Sequence, residues 1–194
     1  MSTNNLDDRI MKHETSAQEV LEPVDDGAAA HLPGSSIPDV SLISTDGEAV
    51  SLSAIEGRWV LYIYPRTGRP GVPSLEGWDM IPGARGCTPQ SCSFRDHHAE
   101  LRALGAKVFG LSAQSPEEQC EARERLKLPY QLLSDDGLKL KEALGLPTFV
   151  AAGLELYKRM SMVIEDGRIV KVFYPVHPPE KDAETVVGWL SGRA

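Results

Sequence analysis

Trp59-Val60-Leu61-Tyr62-Ile63-Tyr64 runs without a polar break and stops at Pro65. An unbroken run of this length, rich in β-branched and aromatic residues, reads as a central strand buried on both faces of a sheet. The elements around it follow the same grammar. Val40 to Ile43 and Val50 to Leu52 flank the turn Thr45-Asp46-Gly47 and form a hairpin ahead of the central strand. After it comes a long Pro/Gly-rich loop to Gly86, then a helix whose apolar positions Phe94, Leu101 and Leu104 recur at helical spacing and which Gly105 terminates. Lys107 to Leu111 is a further strand, and Ser115 to Leu126 a helix opened by Ser-Pro-Glu-Glu. A short strand at Gln131 to Leu133 and a small helix at Gly137 to Leu144 come next. Met162 to Ile164 and Ile169 to Tyr174, joined by Glu165-Asp166-Gly167-Arg168, form a second hairpin, and Glu180 to Leu190 closes the chain as a helix. This order predicts an α/β fold: a mixed central sheet with helices on both faces and an N-terminal hairpin.

The composition fits one domain: 194 residues, 41% hydrophobic, with a net charge of −8. Such a charge argues against nucleic acid and against anionic membrane surfaces, both of which recruit clustered Lys and Arg. No apolar run approaches the roughly 20 residues that cross a bilayer, and the N-terminus lacks a secretory pattern, so a cytoplasmic location is expected. Residues 1–34 hold seven acids against Arg9 and Lys12. Leu6 to Leu21 carries a weak helical pattern with few aliphatic anchors, so residues 1–33 are expected to form an acidic arm, flexible or loosely docked, ahead of a domain at 34–194. Three cysteines in a reducing compartment are too few for a disulfide framework, which leaves reactivity, metal binding or packing to explain them.

Gly86-Cys87-Thr88-Pro89-Gln90-Ser91-Cys92 lies at the opening of the helix that follows the loop. With Thr88 as N-cap and Pro89 at the first helical position, Cys87 sits at the positive end of the helix dipole, against backbone N–H groups that stabilise a thiolate. A free cysteine is otherwise often a small packing residue. Its place at a helix start, with a second cysteine five residues on, favours the reactive reading.

The segment GCTPQSCSFRD resembles the active-site helix of peroxiredoxins of the bacterioferritin-comigratory, or Q, type, which carry a Gly-Cys-Thr, a second Cys five positions later and a Phe-Arg-Asp. The resemblance runs from about Gly34 to the C-terminus through the Ile-Pro-Asp entry, the Thr-Asp-Gly hairpin, the strand ending Tyr-Pro, and Arg159 opening RMSMVIEDG. It implies a thioredoxin-like fold and reduction of hydrogen peroxide or organic hydroperoxides without haem, flavin or metal cofactor. It further implies Cys87 as peroxidatic cysteine, Cys92 as resolving cysteine, Arg159 as the guanidinium beside the sulfur, a thioredoxin-type reductant, and a monomer or homodimer. The chain departs from the family in one region. The family has a Pro and a Ser or Thr shortly before the reactive Cys, whereas here Pro65 precedes Cys87 by 22 positions and Ala84 takes the hydroxyl's place, so 66–86 is an insertion. Pro65 is the equivalent proline, and Thr67 is the first candidate for the displaced hydroxyl, with Thr88 second.

Other chemistries fit less well. A zinc site of Cys87, Cys92, His97 and His98 fails on geometry, because Cys92 lies about 140° around a continuous helix from Cys87 and His97 about another 140° on. His98 falls on the Phe94/Leu101 face and reads as packing. Cys120 is flanked by acids that disfavour a thiolate and reads as inert. His13, His31 and His177 have no identifiable partners. A dithiol oxidoreductase of the thioredoxin kind has two residues between its cysteines rather than four, and a peroxide-sensing or partner-binding module that oxidises without turnover is the other alternative.

Overall fold

The computed structural model describes residues 21–193. At its centre is β3 (Arg58–Ile63), and every side chain from Trp59 to Tyr64 is fully buried. Val60, Tyr62 and Tyr64 face one layer, Trp59, Leu61 and Ile63 the other, which is why no polar residue interrupts the run. β3 pairs in parallel with β4 (Ala106–Ser112), and β4 in parallel with β5 (Gln131–Ser134). On its other side β3 runs antiparallel to β8 (Met160–Glu165), which forms a hairpin with β9 (Arg168–Phe173). The N-terminal hairpin of β1 (Ser41–Ser44) and β2 (Ala49–Ser51) joins through β5, giving the order β2-β1-β5-β4-β3-β8-β9.

One face carries α1 (Cys87–Asp96), α2 (His98–Ala103), α3 (Pro116–Leu126) and α5 (Asp182–Ser191), which contribute Phe94, Leu101, Ala122, Leu126, Val186 and Leu190 to its core. The opposite face is covered by α4 (Lys139–Leu144) through Leu140. The expected layers are present. Ser115 caps α3 in a reciprocal capping box with Glu118, as Ser-Pro-Glu-Glu predicts. No helix among the described residues is long and apolar enough to cross a membrane.

Three expectations are corrected. The helix after Gly86 breaks at His97 into α1 and α2. A further hairpin, to which the sequence assigned no element, is formed by β6 (Thr148–Ala151) and β7 (Leu154–Tyr157), whose turn places Ala152 and Gly153 at positive φ. The Leu6–Leu21 stretch and His13 fall almost wholly outside the described residues, but residues 21–33 are docked rather than flexible. Ala29 and Leu32 are buried in the same core as Trp59, and Asp26 accepts hydrogen bonds from Lys158 (2.6 Å) and Tyr174 (2.7 Å). The bond from Lys158 holds the Asp26 carboxyl far below the usual carboxylate range. Finally, His31 donates to the Leu144 carbonyl at 2.7 Å and His177 lies 3.5 Å from Glu22, so both have partners.

The chain between the arm and β1 also covers a sheet edge. The N–H groups of Gly34 and Ile37 donate to the carbonyls of Ile169 and Gly167, and Ile169 N–H donates to Ser35. The 66–86 segment is likewise held down. Trp78 and Ala84 are buried with Ala151 and Leu156, and the Trp78 ring lies 6.2 Å from that of Phe149 on β6. The unforeseen hairpin is therefore the platform on which this segment packs.

Candidate active site

Gly86, not Thr88, is the N-cap of α1, with φ +99°. A Cβ there would lie 2.2 Å from Cγ of Pro179, so both the backbone and the neighbour demand glycine. Cys87 thus becomes the first helical residue, still at the positive end of α1. It is 3% exposed. Its Sγ faces two polar groups: Nη2 of Arg159 donates to it at 3.2 Å, and the sulfur is 3.6 Å from the Ala84 carbonyl.

Arg159 stands just before β8 and is itself 3% exposed. Its Nη2 also donates to the carbonyls of Gly83 (3.2 Å), Ala84 (3.3 Å) and Arg85 (2.9 Å), and its Nη1 donates to Oε1 of Gln90. One guanidinium therefore binds the end of the 66–86 segment, the reactive-cysteine helix and the sulfur together. An exposed strand-end ion pair is ruled out by this burial. Gln90 in turn donates from Nε2 to Oδ2 of Asp182 (2.7 Å), which also accepts from the Ser161 hydroxyl (2.6 Å). Asp182 is 2% exposed, and burial pushes its carboxyl up to about 6 against the opposing pull of the Ser161 and Gln90 hydrogen bonds and the Arg159 charge.

Further along α1, Tyr62 stacks on Phe94 with ring centroids 4.4 Å apart and donates to the Ser91 hydroxyl at 3.1 Å, while Tyr130 donates to the Ser91 carbonyl at 2.8 Å. Burial raises both phenols well above the ordinary tyrosine range, so they serve as neutral donors. Gly110 on β4 leaves the room that Tyr62 fills, since a Cβ there would meet the ring at 2.5 Å. These contacts tie the middle of α1 to the sheet. Cys92 is half-buried on the same helix and packs against this core. Helix geometry separates its Cα from that of Cys87 by roughly 8.7 Å, beyond the ~7 Å limit for a disulfide.

Thr67 is not at the sulfur. Its N–H and hydroxyl both donate to Oε1 of Gln114 (2.7 and 3.0 Å), and Gln114 returns a bond to the Thr67 carbonyl at 3.2 Å. Those bonds anchor the start of the 66–86 segment to the loop after β4. Pro65 is buried immediately after Tyr64, whose hydroxyl donates to Gln119 at 2.5 Å. Among the described residues no side-chain hydroxyl is hydrogen-bonded to Sγ of Cys87. Cys120 is remote, with its sulfur 3.6 Å from the Thr45 carbonyl. His98 packs on Tyr130 at 5.7 Å between centroids, and burial lowers its basicity. Beside Arg159 opens a cavity of about 330 Å³ lined by Pro23, Val24, Ile81, Pro82 and Phe149, so residues 22–24 and the 66–86 segment share its wall.

Sequence reasoning missed Gln90 and Asp182. Gln90 carried a usable signal, since it follows Cys87 by three positions and shares its face of the helix. Asp182 carried none, being one acid among several near the final helix.

Comparison with known proteins agrees with this geometry. The Redoxin family model matches residues 32–187. Peroxiredoxin Q, chloroplastic, of Oryza sativa subsp. japonica is 34% identical over 142 residues, covering 73% of this chain and 58% of the rice protein. The chain thus spans rather more than half the length of the rice relative. Peroxiredoxin Bcp of Bacillus subtilis (strain 168) is 32% identical over 158 residues, covering 79% of this chain and 91% of the bacterial protein. Among solved structures, peroxidoxin BcpB from Mycobacterium tuberculosis superposes with a TM-score of 0.69 at 24% identity, over 84% of this chain and 99% of that one, which identifies the thioredoxin-like fold. With its buried Cys87–Arg159 pair at the head of α1, the chain belongs to the redoxin family, as a peroxiredoxin of the Q/Bcp type.

Proposed function

We propose that the protein is a thiol-dependent peroxidase that reduces hydrogen peroxide or organic hydroperoxides through Cys87, with Cys92 resolving and a thioredoxin-type dithiol as reductant. The observation that carries this reading is the Arg159 Nη2 to Cys87 Sγ contact of 3.2 Å at the first residue of α1. The thiolate is the nucleophile, and the adjacent guanidinium compensates its charge while its N–H fork receives charge developing on the peroxide oxygens. The sulfur attacks one peroxide oxygen; the S–O bond forms as the O–O bond breaks, and the departing oxygen takes a proton to leave as water or an alcohol. The sulfenic acid on Cys87 then condenses with the Cys92 thiol, expelling water and forming an intramolecular disulfide. A dithiol reduces that disulfide by exchange, becoming oxidised itself. The apolar cavity beside Arg159 suits the organic part of a hydroperoxide. Because both sulfurs belong to one chain, the cycle needs no second subunit, and a monomer or homodimer serves equally. We place it in the cytoplasm, where dithiol reductants are maintained.

One equivalent of hydrogen peroxide should remove two hydrogens from the intact mass. Cys87→Ser should abolish the reaction, and Cys92→Ser should react once and stop at the sulfenic acid. Rapid first oxidation surviving in Cys87→Ser would overturn the assignment. The absence of a hydroxyl bonded to Sγ favours a second reading, a peroxide-responsive module that oxidises once. Steady-state peroxide consumption with thioredoxin and its reductase supports the peroxidase; a single turnover supports the module.

A further inference from the structure

Asp182 makes no contact with Cys87, yet it is joined to it through two buried side chains. From α5 it accepts Nε2 of Gln90, Gln90 presents Oε1 to Nη1 of Arg159, and Nη2 of the same guanidinium reaches Sγ at 3.2 Å. All the members are shielded: Gln90 and Ser161 are fully buried, and Asp182 and Arg159 are 2% and 3% exposed. A carboxylate only accepts hydrogen bonds, a guanidinium only donates, and a primary amide does one at each end. The two charged neighbours therefore admit a single orientation of the Gln90 amide, and the flipped orientation would set oxygen against carboxylate and N–H₂ against guanidinium. Ser161, two residues after Arg159, donates to the same Oδ2, so both bonds converge on one carboxylate oxygen.

We infer that Asp182 is a positioning residue: its carboxylate fixes the polarity of the Gln90 amide, and that amide aims the Arg159 guanidinium at Cys87. The other charged group facing Asp182 from a neighbouring element is Arg159 itself, while Lys181 and Glu184 on its own segment are turned to solvent and paired with each other at 2.7 Å. Burial pushes the carboxyl up to about 6, and the Ser161 and Gln90 hydrogen bonds with the Arg159 charge favour its ionised, accepting form above that pH. Gln90 also lies between Cys87 and Cys92, so the relay holds the sulfur only while α1 is wound.

The inference rests on Cys87 being the reacting sulfur, and loss of reaction in Cys87→Ser tests that reading separately. The experiment is a polarity swap, read as the second-order rate of first oxidation by hydrogen peroxide, with circular dichroism as the folding control. Asp182→Asn and Gln90→Glu should each slow the reaction about tenfold, the first by freeing the amide to flip and the second by facing two carboxylates. The double variant Asp182→Asn/Gln90→Glu restores an acceptor toward Arg159 and a donor toward position 90, and should return the rate to within about threefold of the parent. A purely structural aspartate predicts no such rescue. Parental rates in either single variant, or a double variant no faster than Gln90→Glu, would overturn the proposal. Should Asp182→Asn fail to fold alone, Gln90→Glu against the double variant decides in the same way.

Discussion

Adding one methyl group at Gly86 tests whether the helix start places the sulfur. Gly86→Ala forces an L side chain into φ +99° and sets its Cβ 2.2 Å from Cγ and 3.1 Å from Cβ of Pro179. Left-handed backbone costs an alanine about 1–2 kcal/mol, and overpacking a closed contact about 1–3 kcal/mol, so the variant should lose roughly 2–5 kcal/mol in urea unfolding. Relief has two routes. Pro179 can retreat with the start of α5, carrying Asp182, or Cys87 can swing away from Arg159. Either displaces the reacting geometry, and the first-oxidation rate should fall by more than about tenfold. Adding Pro179→Ala should recover the steric part and leave the backbone part, which a double-mutant cycle resolves. A Gly86→Ala protein within about 1 kcal/mol of the parent would refute the account of the cap, and lost stability with an unchanged rate would refute its link to the sulfur.

Arg159→Ala should slow peroxide reaction strongly, and Arg159→Lys should recover only part of it, since a lysine restores charge but not the fork that reaches Sγ and Gln90 together; stopped-flow rates separate the three. On oxidation, amide exchange across 86–94 should rise because Cys92 reaches Cys87 only if α1 unwinds, breaking the Gln90–Asp182 and Tyr62–Ser91 bonds, while 59–64 stays protected. Thr67→Val should leave the first-oxidation rate within about twofold but lower the melting temperature, because that hydroxyl serves Gln114 and not the sulfur. Folded Asp182 holds its proton up to about pH 6, against 3.8 for an unperturbed aspartate, so its contribution to stability declines as pH rises from about 4 to about 6, by on the order of 3 kcal/mol. Asp182→Asn should flatten that stretch of a stability-against-pH curve.

Much of the architecture could be read from local pattern. The uninterrupted Trp59 to Tyr64 run and Ser115 with Glu118 each state their structure within a few residues, because burial on two faces and reciprocal capping are local demands. The β6–β7 hairpin was hidden by its turn, where Ala152 gives no turn signal and only Gly153 does. The docking of Ala29 and Leu32 was hidden for another reason: two small apolar contacts among acids look unanchored until the distant core that accepts them is known. At the site, the motif pointed to the pairing of Arg159 with Cys87 that the structure contains. The capping role of Gly86 depends on Pro179, and the place of Thr67 on Gln114, and such long-range contacts leave no trace in spacing.

The pairing of residues 34–37 with β9 reaches beyond the fold's internal order. Without it the outward N–H and C=O groups of Gly167 and Ile169, where β9 begins, would stand free at the end of the sheet, the kind of edge that templates strand addition from another molecule. The opposite edge, β2, has only three residues and runs directly into a 3₁₀ turn, a poor template. The entry segment therefore protects the first part of the β9 edge through four residues. Shortening the chain past Ile37 would uncover that part of the edge, and it would also take Ala29 and Leu32 out of the core and Pro23 and Val24 out of the cavity wall beside Arg159.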